Sequence, residues 1–110
     1  ERAAVTSIYF LLKASERSHW HRIDAEEIWH FHAGAPLELS ISRDGVDSAN
    51  SILGLNSSVG ERPQIVVPKG AWQSARSLGT FTLAGCTVAP GFQFSGFEMA
   101  PPDWRPRAAS

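Results

Sequence analysis

No stretch of a dozen residues in this chain keeps a helical period without meeting a glycine or a proline. That excludes helix-built folds and turns attention to strands. Leu37 to Arg43 shows the strand pattern most cleanly. Leu37, Leu39 and Ile41 face one way, and Glu38, Ser40 and Ser42 the other. Asp44-Gly45 then supplies a turn. Further strands are expected at Thr6 to Lys13, Glu27 to Ala33, Ser51 to Leu55, Gln64 to Val67, Trp72 to Arg76, Phe81 to Ala89 and Phe92 to Met99. Gly85, inside the second-last of these, suggests a bulge or a close backbone approach. About eight short strands separated by turn residues read as an all-β sandwich, barrel or jelly roll.

A length of 110 residues suits one domain with one core. We take residues 1–100 as the barrel domain and 101–110 as a C-terminal tail, pinned by Trp104. The formal net charge of −1 lacks the basic footprint of a nucleic-acid binder. Apolar runs are strand-sized, the longest being Ile8 to Leu12, so no membrane span is expected. Cys86 is the only cysteine, which forbids an internal disulfide and makes a reducing cytoplasm the simplest compartment. No signal peptide is read at the start of the sequence.

All four histidines lie between positions 19 and 32, as two His-x-His pairs, His19/His21 and His30/His32. On a strand, residues two apart share a face, so each pair can aim two imidazoles at one point. Glu26 and Glu27 lie between the pairs. Two registers are open: His19 and His21 with Glu27, or Glu26 with His30 and His32. Either would begin a metal site. The alternative for His30 and His32 is a packed or interface role. Trp20, Trp29, Trp72, Phe31, Phe81, Phe92, Phe94 and Tyr9 can wall a cavity. Arg22 and Arg76 are candidates for gripping an anionic group. Cys86 reads as a buried, inert thiol.

Four blocks carry a resemblance: Ser18-His-Trp-His-Arg22, Glu26-Glu-Ile-Trp-His-Phe-His-Ala-Gly34, Pro63-Gln-Ile-Val-Val-Pro-Lys-Gly-Ala-Trp-Gln-Ser-Ala75 and Gly85-Cys-Thr-Val-Ala-Pro-Gly-Phe92. Together they resemble the DUF985, or cupin-5, family of the cupin superfamily. The resemblance implies a cupin-type double-stranded β-helix, often dimeric. The first cupin motif is matched by His19, His21 and Glu27, with Gly34 at the expected distance. In the second, Pro68-Lys-Gly70-Ala-Trp-Gln73, the usual histidine is replaced by Gln73.

The resemblance therefore implies His19, His21, Glu27 and Gln73 at one interior point. An amide is a poor ligand for transition metals, so no cofactor is expected as obligatory. The residual metal reading is iron, manganese or zinc on those four side chains. The activity implied is binding of a small molecule. One form is a metal-independent isomerase or epimerase acting on a small polar or sugar-like compound. There His19 or His21 would be the base, Glu27 its orienter and Tyr9 the acid, with Gln73, Trp20, Trp29, Trp72 and Arg22 contacting ligand. The alternatives are a metal-dependent cupin oxygenase and a non-catalytic binding barrel. A homodimer is expected, because the strand Ile28 to His32 is apolar or aromatic on both faces.

Overall fold

The computed structural model describes residues 1–107; positions 108–110 of the tail lie outside the described residues. Among the described residues, nine strands form two antiparallel sheets. They are β1 (Thr6–Lys13), β2 (Arg17–Ile23), β3 (Glu26–Gly34), β4 (Leu37–Ser42), β5 (Ala49–Leu53), β6 (Gln64–Val67), β7 (Trp72–Ser77), β8 (Phe81–Ala89) and β9 (Phe97–Met99). One sheet has the order β1-β8-β3-β6 and the other β5-β4-β7-β2-β9. No helix among the described residues is long and apolar enough to cross a membrane.

The alternation of β4 works as its sequence requires: Leu37 and Leu39 are fully buried, and Leu53 of β5 joins them. Each contributes about 2 kcal/mol on transfer from water. With Ile65, Val67 and Ala75 they fill the space between the sheets. Phe10 packs edge-on against Trp29, their ring centres 5.6 Å apart, at the border of this core. Beyond that border, toward β1, β2 and β9, the sheets enclose a cavity instead of a core.

Three elements differ from the sequence reading by more than a residue, and one of them, β5, runs Ala49–Leu53 and so starts and ends two residues before the expected Ser51 to Leu55. β2 lies outside the strands that the alternation pattern predicts. Its pairing to β7 runs from Ser18 opposite Ala75 to His21 opposite Gln73, three steps on β2 against two on β7. This extra residue is a β-bulge, and it defeats the period-two pattern. Only the last third of Phe92–Met99 is strand, since Phe94–Gly96 makes a single 3-10 turn first. Gly85 is a close approach: a Cβ there would stand 2.6 Å from the ring of His32. Trp104 in the tail does pack on the second sheet, its ring 4.6 Å from Trp72 and 6.0 Å from Trp20.

Candidate functional site

The cavity measures about 520 Å³. Ile8 and Met99, both more than half exposed, mark its mouth. Its polar groups come from four strands: Thr6 on β1, Ser18 and His21 on β2, Glu27 on β3 and Cys86 on β8. The rest of the wall is apolar. β1 gives Phe10, β2 gives Ile23, β3 gives Trp29 and β8 gives Val88. Phe92, Phe97 and Met99 complete it from the C-terminal segment.

Glu27 is inward and buried, and Glu26 is exposed, its carboxylate accepting from the Lys69 backbone N–H. The register with Glu27 facing inward is the one realised. Gln73, fully buried, reaches across from the opposite sheet. The Trp29 indole N–H donates to Gln73 Oε1 at 2.9 Å. An indole can only donate, so this bond fixes which end of the amide faces which neighbour. Gln73 Nε2 must then face Glu27, and it donates to Oε1 of that carboxylate at 2.6 Å. The chain Trp29–Gln73–Glu27 ties the sheets together and holds the carboxylate still.

Burial is the dominant influence on Glu27 and raises its pKa above the ordinary carboxylate value. The Gln73 bond, the charge that His21 carries when protonated and a bond from Cys86 pull the other way without cancelling it. Burial, then the negative field of Glu27, push the Cys86 thiol far up, so it is an inert thiol at neutral pH. His21 is oriented twice. Its Nδ1 donates to the backbone carbonyl of His19 at 2.8 Å, and its ring stacks on Phe97 with centres 5.5 Å apart. A carbonyl only accepts, so Nδ1 carries the proton of the neutral ring. Nε2 is left as the acceptor.

Several expected participants stand elsewhere. The β2 bulge turns His19 away from His21, and its Nε2 meets the Pro101 carbonyl at 2.8 Å. Tyr9 is 78% exposed on the outer face of β1, edge-on to His32. It cannot serve as the acid inside. Trp20 packs against Trp104 on the outside of the second sheet. Arg22 lies over the Trp72 ring, 4.4 Å from its centre, and pairs with Glu98 at 2.8 Å. Arg76 pairs with Glu38. Trp20, Trp72 and Arg22 therefore form an outer cluster, not a ligand contact. Gln73 is a positioning residue with both amide atoms occupied, not a lining residue. His30 and His32 point outward, His30 toward Thr87.

His21, Glu27 and Trp29 are brought together as expected. Thr6, Ile8, Phe10, Ser18, Ile23, Cys86, Val88, Phe97 and Met99 line the cavity without having been site candidates in the sequence. The alternation Cys86–Val88 and the even positions of β1 carry that signal in part. The resident metal of many cupins needs three or four converging donors. Only His21 and Glu27 of the four expected donors face the cavity with acceptor capacity to spare. Among the described residues, no three His, Cys, Asp or Glu side chains stand close enough to hold an ion. The donor set does not fit a resident metal.

Comparison with known proteins agrees with this architecture. A protein of Shewanella oneidensis is 43% identical, with a TM-score of 0.86, over 90% of this chain and 63% of its own. A hypothetical protein from Leishmania major is 32% identical, with a TM-score of 0.83, over 90% of this chain and 66% of its own. The chain thus spans a little under two thirds of the length of either relative. A dTDP sugar isomerase from Desulfovibrio desulfuricans shares the fold at 15% identity, with a TM-score of 0.77, over 89% of this chain and 65% of its own. None of the curated proteins matches the chain. The family model for the cupin superfamily group DUF985 matches residues 1–100. With the barrel and the inward Glu27 already in hand, that match assigns the chain to the DUF985 (Cupin_5) family of the cupin superfamily.

Proposed function

We propose that this cupin binds a small molecule in the cavity and moves a proton on it, as an isomerase or epimerase does, without an obligatory metal. The observation that carries this reading is the pairing of His21 and Glu27 in one apolar cavity. His21 offers Nε2 as a base, its ring locked by the His19 carbonyl and by Phe97. Glu27 holds the ligand's polar end with the acceptor capacity that Gln73 and Cys86 leave over. The wall around them is mostly apolar, so a ligand with an apolar body fits better than a sugar. The metal-dependent oxygenase reading has too few convergent donors to support it. A cytoplasmic homodimer is the setting we assign: a lone buried thiol suits a reducing compartment, and the outer face of β1 needs a partner.

A ligand screen with and without EDTA tests the reading. Hits should survive chelation. His21→Ala should weaken them by roughly tenfold or more, the worth of one buried hydrogen bond. Bound ligand should also exchange a carbon-bound proton with deuterated solvent, and His21→Ala should stop that exchange. If every hit vanished with EDTA and returned with iron or manganese, the oxygenase-like alternative would replace this one. Binding without exchange would leave a non-catalytic barrel.

A further inference from the structure

The charge inventory of the cavity is one-sided. Among the described residues Glu27 is the one carboxyl group that lines it, and no lysine or arginine does. The arginines on the flanking segments are engaged elsewhere, Arg2 on Asp24 and the Gly91 carbonyl, Arg22 on Glu98, Arg76 on Glu38 and Arg17 on the Ser74 hydroxyl. Four aromatic rings line the same cavity, those of Phe10, Trp29, Phe92 and Phe97. We propose that the ligand of this cavity is a compact cation with an apolar body, an alkylammonium or a protonated amine, held between Glu27 and the aromatic faces. This rests on reading the cavity as a binding site and names the class of molecule it takes.

Each competing class meets a physical obstacle. An anion would find no cation on the wall and one carboxylate to repel it. A sugar would set its hydroxyls against rings and aliphatic groups, at about 1–3 kcal/mol for each group left unpaired. A cation supplies the counter-charge that the buried carboxylate lacks, and the negative faces of the rings attract it. The Trp29–Gln73 chain already aims an N–H at Glu27, which favours the ionised carboxylate once a counter-ion arrives.

The pH dependence follows from the groups around the carboxyl. His21 faces Glu27 from β2 and Cys86 from β8, while Gln73 bonds to it from β7. β1, β6 and β9 bring only Thr6, Ile8, Phe10, Val67, Phe97 and Met99 to this side, none of which titrates. Burial makes Glu27 hold its proton in the empty cavity to a higher pH than usual. A quaternary ammonium, whose own charge is fixed, must displace that proton. Its affinity should therefore rise with pH through the Glu27 titration.

The test is an NMR titration with three molecules of one shape: choline, its uncharged carbon isostere dimethylbutanol, and the matching carboxylate dimethylbutanoate. The Trp29 indole N–H and the His21 ring report on the cavity. Choline should bind about tenfold more tightly than the alcohol, the order of one desolvated cation–π and charge contact, and the carboxylate least. Glu27→Gln should erase the preference for choline over the alcohol, together with its pH dependence. Phe97→Leu, which keeps bulk and removes one ring, should lower choline affinity more than alcohol affinity. If the alcohol matched choline, the charge assignment would be overturned and the binding site kept. If none of the three shifted either reporter, the cavity would not be a binding site and both readings would fall.

Discussion

Glu27 shows how much one residue's role depends on partners that are distant in sequence. The cupin-like spacing and the alternation of β3 were enough to turn it inward. Nothing local showed that Gln73, 46 positions away, would hold it across the sheets. Gln73 was legible only as the occupant of a histidine's place, which suggested a ligand and not a support. Its role emerges from Trp29, whose donor-only indole sets the amide's direction. Burial has a consequence for stability at this residue. The raised pKa means the folded protein binds this proton more tightly than the unfolded chain, whose value is near 4.5. The stabilisation is present in full below that value and is lost as pH rises through the folded value. Glu27→Gln keeps an acceptor for Gln73 and removes the titration. The variant's melting temperature, relative to the parent, should therefore climb as pH rises from below 4.5 and level off above the folded value. Melting curves of the two proteins that ran parallel across that range would contradict a desolvated, titrating Glu27.

At the scale of elements, β1, β6 and β8 begin and end where their sequences predict, because Lys13, Pro68 and the Ala89-Pro90 step end the apolar runs clearly. β2 escaped because its faces are set by pairing and not by pattern. Ser18 and His21 share a side only through the extra residue between them, so no alternation survives in Ser-His-Trp-His-Arg. The same bulge is why the His-x-His motif delivers one imidazole to the cavity and one to Pro101. The end of β3 was better marked. Gly34 sits at φ +88°, and a Cβ there would come within 2.5 Å of the Phe81 carbonyl oxygen and 2.8 Å of its ring. Gly60 has nearly the same φ, +86°, with nothing within 4 Å. Gly60→Ala should cost about 1 kcal/mol, the strain of a left-handed alanine. Gly34→Ala carries that strain plus a backbone collision, and should cost more than about 2 kcal/mol. Urea melts of the two variants check this, and equal losses would mean that Phe81 gives way freely.

The whole molecule presents two unlike outer surfaces. The second sheet is covered by its own chain, with Trp104 resting between Trp20 and Trp72 and Arg22 closing over the cluster. Among the described residues, none covers the first sheet in this way. Its outer rows place Leu11 beside Leu83, Tyr9 beside Gly85 and His30, and Ile28 beside Val66. Tyr9, Leu11 and Val66 are each at least half exposed. β1 is also an edge, hydrogen-bonded among the described strands to β8 alone. An open edge beside an apolar face favours pairing with another strand. A second copy of this chain answers both needs through one two-fold contact, because the same surface serves each partner. Light scattering at micromolar concentration should therefore give a dimer. Tyr9→Glu with Leu11→Lys places charge on that face without touching the core, and should give a folded monomer. The cavity lies behind β1 and not on this face, so ligand binding per chain should change little in that variant. A parent protein that scattered as a monomer, or a double variant that remained dimeric, would place the assembly surface elsewhere.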